Sequence, residues 1–178
     1  MIKLRVMTRC GCVPCSSSVD LYLLRHGIAE PRLEGLDHPS RALTSEGRAR
    51  TQAMVEWLAA SGLRADRLIS SPYARAWQTA GLVHQAGLSP APETSNHLAP
   101  GGDLPGLLPQ LRGRCLLVGH EPDLSAWASS LIGAPQGGLR LRKAGCCHLR
   151  LDHGDAGGPV RAHLEWLLRP GLLRRSAD

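Results

Sequence analysis

The segment LYLLRHG, residues 21–27, decides how the rest of the chain is interpreted. Its first part, residues 21–24, predicts a short buried strand, because a continuous apolar run that ends at a polar break is typical of such strands. Arg25 and His26 follow, and Gly27 allows a sharp turn or a close approach to a ligand. Open α/β sheets bind ligands beyond the carboxyl ends of their strands, so a cation beside a nucleophilic imidazole predicts an anion site here.

The composition of the chain favours a single domain with an anionic partner. At 178 residues it is long enough to bury a core, and one domain is the default for that length. There is no phenylalanine, so leucine, valine and alanine are expected to fill the core. The net charge of +6 favours anions. Aromatic residues are scarce and no motif of a nucleic-acid reader is present, so we expect no nucleic-acid partner.

The sequence predicts a cytoplasmic protein that does not contact a membrane. No apolar run approaches the roughly 20 residues that cross a bilayer. The N-terminal stretch also lacks the apolar region of a secretory signal. We interpret residues 1–18 as a flexible leader, because they contain Gly11, Pro14 and a run of three serines at 16–18, and residues 19–178 as one domain.

The six cysteines are expected to be reduced thiols, because disulfides are rare in the cytoplasm. Three of them form a C-x-C-x-x-C pattern in the leader, namely Cys10, Cys12 and Cys15. This spacing can form part of a soft-metal site, which would need a fourth ligand from the segment 146–148. An incomplete ligand set is weak support, so we expect no metal and no cofactor, and a metal-linked scaffold stays an alternative.

Alternating strands and helices are predicted along the rest of the chain. Helices are expected over residues 44–61, 72–87, 103–112 and 122–131, and further strands over 67–70, 115–118, 146–151 and 160–166. Thr44 and Ser71 are the predicted N-caps, and Trp57 is expected on the buried face of the first helix together with Met54 and Leu58. The alternation predicts a three-layer α/β/α sandwich with a mostly parallel sheet.

Three predicted strand ends carry residues suited to a phosphoryl group: Arg25-His26-Gly27, the segment 70–75 and Gly119-His120. Parallel strands bring such ends to one crevice, and two of them lead into helix N-termini, which favour anions. Arginine forks match phosphate oxygens, and an unprotonated imidazole can attack phosphorus to form a phosphohistidine. Arg75 and a protonated His120 are expected to stabilise the charge, without a metal.

These motifs resemble the histidine phosphatase superfamily. The resemblance rests on RHG after a strand, on S-P-x-x-R-A-x-Q-T-A from residue 71 and on VGHEPDLS over residues 118–125. The short chain and the GHEP form are similar to the SixA-type phosphohistidine phosphatases. The resemblance covers about residues 19–168 and implies a phosphoglycerate mutase-like fold with a mixed sheet flanked by helices.

The resemblance also implies roles for four residues. His26 corresponds to the phosphate-accepting nucleophile of the family. Arg25 and Arg75 correspond to the phosphate clamps, and His120 to the second histidine of the pocket. All four therefore count as catalytic and as phosphate-binding candidates.

The general acid is the point at which this chain departs from the family pattern. SixA-type chains often carry Glu-Leu-x-Pro after the second motif, whereas residues 97–100 here are His-Leu-Ala-Pro. Glu30, Asp37, Glu93 and His97 therefore stay open as proton donors to a leaving group. Phosphohistidine needs less help from an acid, because its P–N bond is labile, so the departure favours phosphohistidine over an alkyl phosphate ester.

The sequence thus predicts a metal-independent phosphatase that forms a covalent phosphohistidine on His26. The expected substrate is a phosphohistidine on a signalling protein, such as a histidine phosphotransfer domain, because the segments between the motifs leave little chain to cap the crevice. One alternative is a phosphatase or mutase of the same superfamily that acts on small phosphate esters. The other is a phosphate-binding module without catalysis.

Overall fold

The computed structural model describes residues 18–152 and 160–171. Cys10, Cys12 and Cys15 lie outside the described residues, as does the predicted leader apart from Ser18. None of the helices in the described part of the chain is long and apolar enough to span a bilayer.

Six strands form one mixed sheet. They are β1 (Val19–Arg25), β2 (Arg67–Ser70), β3 (Glu93–Thr94), β4 (Arg114–Gly119), β5 (Cys146–Asp152) and β6 (Arg161–Leu168). Their order in the sheet is β3-β2-β4-β1-β5-β6. The first four strands in that order are parallel, whereas β5 is antiparallel to β1 and β6 is antiparallel to β5. The prediction of a mostly parallel mixed sheet is confirmed.

Helices cover both faces of the sheet. The α-helices of the described residues are α1 (Ser45–Ala60), α2 (Ala74–Gln85) and α3 (Asp123–Leu131), and shorter 3-10 helices span Asn96–Leu98 and Leu104–Gln110. Successive side chains of β1 alternate between the faces, so Leu21 and Leu23 pack in the apolar cluster of α3, and Tyr22 and Leu24 in that of α1 and α2. The predicted three-layer sandwich is therefore confirmed.

The first helix agrees with its predicted ends but not with its predicted buried face. Thr44 caps α1, since its hydroxyl oxygen accepts a hydrogen bond from the Gly47 N–H at 3.0 Å. The stripe that faces the core contains Met54 and Leu58. Trp57 is 42% exposed, contrary to the prediction, because it lies one position, or about 100° of helical rotation, away from Leu58.

The second helix begins at Ala74, two residues later than Pro72, where the sequence predicts its start. Tyr73 occupies the N-cap position, and no side chain caps the helix there. The Ser71 hydroxyl lies before this position, where it accepts from the Tyr73 N–H at 3.3 Å and is hydrogen-bonded to the ring of His120 at 2.8 Å. The two-residue strand β3 also lies within a segment predicted to be a loop.

The first turn of α1 packs directly against the backbone that follows β1. A Cβ atom on Gly47 would lie 1.9 Å from the carbonyl oxygen of Ile28, and one on Gly27 would lie 2.3 Å from the Thr51 hydroxyl oxygen. The Thr44 N–H donates to the same Ile28 oxygen at 3.0 Å. These contacts fix the turn after β1 against the helix and leave no room for a side chain at either glycine.

We expect Gly47→Ala to lower the free energy of unfolding by about 1–3 kcal/mol, the usual cost of overpacking, although alanine is the better helix former. Gly81→Ala is the matched control, because Gly81 lies within α2 and a Cβ atom there meets nothing within 4 Å. The control should gain about 0.5–1 kcal/mol. Urea unfolding measures both changes, and a Gly47→Ala protein as stable as wild type would contradict this packing.

Candidate active site

A cavity of about 560 Å³ opens at the carboxyl ends of β1 and β4. All four residues predicted to bind or attack a phosphoryl group line it, namely Arg25, His26, Arg75 and His120. Arg25 is the last residue of β1, and His120 follows the last residue of β4. The three strand ends identified in the sequence therefore meet at one edge of the sheet, as parallel pairing of β1, β2 and β4 requires.

His26 is held by its backbone and by one ring nitrogen. Its N–H donates to the Gly119 carbonyl at 3.1 Å, and its own carbonyl accepts from the Ala144 N–H at 3.1 Å. Ring atom Nδ1 lies 2.7 Å from the carbonyl oxygen of Gly27. A carbonyl oxygen only accepts, so Nδ1 carries the hydrogen and Nε2 keeps a free lone pair. That Nε2 accepts a hydrogen bond from Arg75 Nε at 3.3 Å.

His26 is neutral at physiological pH. Burial lowers its pKa to about 2, and the charges of His120, Arg75 and Arg25 act in the same direction. The hydrogen bond to the Gly27 carbonyl opposes this shift only in part. A neutral imidazole with an unprotonated Nε2 is the form that attacks phosphorus.

The turn that carries His26 is also tied to α2. The Gly27 N–H donates to the Thr79 hydroxyl oxygen at 3.2 Å, and that hydroxyl donates to the Arg75 carbonyl at 2.8 Å. Thr79 is the threonine of the Q-T-A part of the second motif. This part of the motif therefore positions the histidine turn rather than contacting the cavity.

Arg75 connects the two histidines from a buried position, with 2% of the residue exposed. Its Nη2 lies 3.2 Å from His120 Nδ1 and 2.9 Å from Asp37 Oδ2. Burial lowers the pKa of Arg75, and the Asp37 carboxylate opposes that shift. Asp37 also forms ion pairs with Arg41 and Arg32, so it is the counter-ion of three arginines and is not free to act as an acid.

His120 is neutral as well, contrary to the expectation of a protonated ring. Burial lowers its pKa to about 3, and the adjacent Arg75 charge contributes in the same direction. Arg75 only donates, so Nδ1 of His120 accepts and Nε2 donates to the Ser71 hydroxyl at 2.8 Å. The ring centroids of His26 and His120 are 4.9 Å apart.

Arg25 has a donor available for a ligand. Its Nη1 donates to the Leu141 carbonyl at 2.9 Å, while its buried Nε has no hydrogen-bond partner among the described residues. A buried donor without a partner is costly, so an acceptor oxygen beside Nε is favoured. A phosphoryl oxygen would satisfy it with a charge-assisted hydrogen bond.

Of the candidate acids, only Glu30 and Asp37 reach the cavity. Glu93 does not, because it is exposed on β3 and its carboxylate accepts from Arg67 Nε at 2.9 Å. His97 is also absent from the lining, and its Nδ1 lies 2.7 Å from the Asp103 carbonyl oxygen. The structure therefore does not bring Glu93 and His97, two of the predicted proton donors, into the cavity lining.

Two further lining residues received no role from the sequence. Lys143 borders the cavity, and burial lowers its pKa. Its neighbour Ala144 bonds the His26 carbonyl, so the loop before β5 brings the lysine close. Glu121 also lines the cavity and belongs to the GHEP motif, immediately after His120. Its place beside that histidine is the signal that could have identified it.

Residues 146–148 do not form a metal site. Cys146 and Cys147 are buried thiols that face opposite apolar clusters, and His148 Nε2 lies 2.7 Å from Asp20 Oδ1. Across residues 18–152 and 160–171, no group of three or more histidine, cysteine, aspartate or glutamate side chains could hold a metal ion.

Comparison with known proteins agrees with this geometry. A family model described as the histidine phosphatase superfamily (branch 1) matches residues 21–98. An uncharacterised protein of Picosynechococcus sp. is 37% identical over 155 residues, which are 83% of this chain and 92% of the relative. The family match includes Arg25, His26 and Arg75.

Solved structures share the fold. The protein histidine phosphatase SixA complexed with tungstate superimposes with a TM-score of 0.73 at 22% identity, covering 86% of this chain and 99% of the other. The alpha-ribazole phosphatase from Shigella flexneri gives a TM-score of 0.64 at 19% identity, covering 85% and 96%. With the family match, the relative and the shared fold taken together, this chain belongs to the histidine phosphatase superfamily and is a phosphatase.

Proposed function

We propose that this phosphatase hydrolyses phosphohistidine on a protein and that His26 is its covalent nucleophile. The observation that carries the proposal is the state of the His26 ring, which is neutral and presents an unprotonated Nε2 beside the Arg75 guanidinium. In the first step Nε2 bonds to phosphorus while the P–N bond of the substrate breaks. In the second step water attacks the phosphohistidine, and phosphate leaves with the Nε2 lone pair restored.

Arg25 and Arg75 are proposed to bind the oxygens of the transferred group. They lie on opposite sides of His26 in sequence and fold, one at the end of β1 and the other in the first turn of α2. The bond from Nδ1 to the Gly27 carbonyl stabilises the positive charge that the ring gains when Nε2 bonds to phosphorus. Because these groups supply the electrostatic stabilisation, we expect activity to persist in the presence of a chelator.

A two-leucine turn at the cavity rim supports a protein substrate. Leu33 and Leu36 are 80% and 68% exposed, the highest values among the large apolar residues of the described chain. The Leu36 N–H donates to the Leu33 carbonyl at 2.9 Å, and Glu34 and Gly35 between them have positive φ values, so the turn is well defined. The cavity-lining Arg32 adjoins the turn directly.

The exposed leucines and the basic rim have no evident use with a small phosphate ester. A folded phosphoprotein would cover the leucines, and an acidic surface around its phosphohistidine would complement Arg32 and Lys143. A histidine phosphotransfer domain in cytoplasmic signalling is the proposed partner. The name of the SixA neighbour describes a protein histidine phosphatase, which supports this class, whereas that of the alpha-ribazole phosphatase indicates the small-ester alternative.

His26→Ala should abolish phosphate release from a phosphorylated histidine phosphotransfer domain, because no other residue replaces the lost Nε2 lone pair. Phosphate release is measured with and without a chelator, and circular dichroism checks the fold. His84→Ala is the control, since His84 is an exposed histidine at the end of α2. Turnover by His26→Ala comparable to wild type would contradict covalent catalysis, and a wild-type protein that binds phosphate without any turnover would indicate a binding module.

Replacing both Leu33 and Leu36 by serine should lower kcat/KM for the phosphorylated domain at least about tenfold, which corresponds to about 1.4 kcal/mol of lost apolar contact. Hydrolysis of free phosphohistidine should not change, because it contains the same P–N bond without a protein surface. Leu164→Ser is the control, as Leu164 is an exposed leucine in the middle of β6. Equal losses on both substrates, or no loss on either, would exclude the turn as a docking element.

The two neutral histidines make stability depend on pH. Their pKa values are about 2 and about 3 in the folded protein, below the ordinary value of 6.5, so the unfolded chain binds more protons as the pH falls. Their contribution is complete above pH 6.5 and is lost as the pH decreases towards the folded pKa values. Each should lower the free energy of unfolding by about 1.4 kcal/mol per pH unit below pH 6.

Urea unfolding of wild type and His120→Gln between pH 7 and pH 5 measures this effect. The variant should lose the contribution of one histidine, so its stability should fall less steeply with decreasing pH. Parallel curves for the two proteins would mean that His120 titrates normally in the folded state.

A further inference from the structure

Glu121 lines the cavity and has no role in the phosphate binding proposed for Arg25 and Arg75. It is half-buried and follows His120 at the end of β4. The Ser125 hydroxyl donates to Glu121 Oε1 at 2.7 Å and itself accepts from the Leu141 N–H at 2.9 Å. The adjacent Leu141 carbonyl accepts from Arg25. The carboxyl group is therefore held in place by the same segment that orients a phosphate clamp.

The three carboxyl groups that line the cavity differ in their surroundings. Asp37 is engaged in ion pairs with Arg75 and Arg41. Glu30 is exposed. Burial raises the pKa of Glu121, although the Ser125 hydroxyl and Arg25 oppose the shift. A raised pKa moves Glu121 towards the protonated form that a general acid needs, and the Ser125 hydroxyl holds its carboxyl group in a fixed position at the cavity.

We propose that Glu121 is the general acid and base of this cavity and that it extends the substrate range to phosphate monoesters with basic leaving oxygens. As His26 Nε2 bonds to phosphorus, the P–O bond of the ester breaks, and Glu121 gives its proton to the leaving oxygen, which departs as an alcohol. Water then attacks the phosphohistidine, Glu121 takes back a proton from it, and phosphate leaves His26. Both residues return to their starting states.

This inference rests on the proposed role of His26. It concerns the first step, in which the leaving oxygen of the ester departs from phosphorus. An alkoxide is a much stronger base than imidazole, so its departure depends on a proton donor, whereas p-nitrophenolate leaves without one. Removal of the acid should therefore affect esters in proportion to the basicity of the leaving oxygen. That selectivity distinguishes a proton donor from a residue that merely shapes the cavity.

The experiment compares glycerol phosphate with p-nitrophenyl phosphate for wild type and Glu121→Gln. We expect kcat/KM of the variant for glycerol phosphate to fall about 100-fold or more, within the usual range for a lost general acid. For p-nitrophenyl phosphate kcat/KM should change little, while kcat falls because the second step lacks its base. A burst of p-nitrophenolate, stoichiometric with the enzyme, should then precede slow turnover.

Glu30→Gln is the matched control, and it should leave the ratio of the two kcat/KM values unchanged. If Glu121→Gln folds poorly, a series of substituted phenyl phosphates with the wild-type enzyme gives a second readout, in which kcat/KM should depend only weakly on leaving-group basicity. Equal loss on both esters, an unchanged ratio in Glu121→Gln, or a wild-type enzyme inactive on glycerol phosphate would each overturn the inference. Activity that survives His26→Ala would instead overturn the proposed function itself.

Discussion

A single buried guanidinium holds the candidate site together. Arg75 bonds the ring of His26 with its Nε and that of His120 with its Nη2, and Asp37 balances its charge. Asp37 is the carboxylate partner of this buried cation, so Arg75 and Asp37 are best considered as one unit. The two rings are therefore orientated by the same cation that is proposed to bind the transferred group. Burial lowers the pKa of both rings, and the charge of Arg75 acts in the same direction.

The parallel strands β1, β2 and β4 position the residues around Arg75. β1 and β4 pair in register up to Arg25 and Gly119, and β2 reaches Val118 with Ser70, so their ends lie at one level of the sheet. Backbone bonds continue past the sheet, from His26 to Gly119 and from Ser71 to Val118. The polar side chains are thus fixed by the sheet rather than by flexible loops, which suits a site whose geometry must be set before substrate arrives.

Much of this arrangement could be predicted from the sequence, because it follows from local patterns. The apolar run before Arg25 and the glycine after His26 predict a strand end, and three such ends in a parallel sheet must converge. The start of α2 could not be predicted, because Ser71 is engaged with a histidine distant in sequence. The counter-ion role of Asp37 could not be predicted either, because it depends on a contact with Arg75 between distant segments that no periodicity reveals.

The glycine of the RHG segment is required for a different structural reason than the arginine and histidine before it. Arg25 and His26 face the cavity, whereas a side chain on Gly27 would collide with Thr51 and press on the backbone of Gly47. Glycine is therefore required at position 27 by the packing of the turn against α1 and not by a ligand in the cavity. The motif thus combines two requirements: two of its positions serve the ligand, and the third serves the packing of the interior.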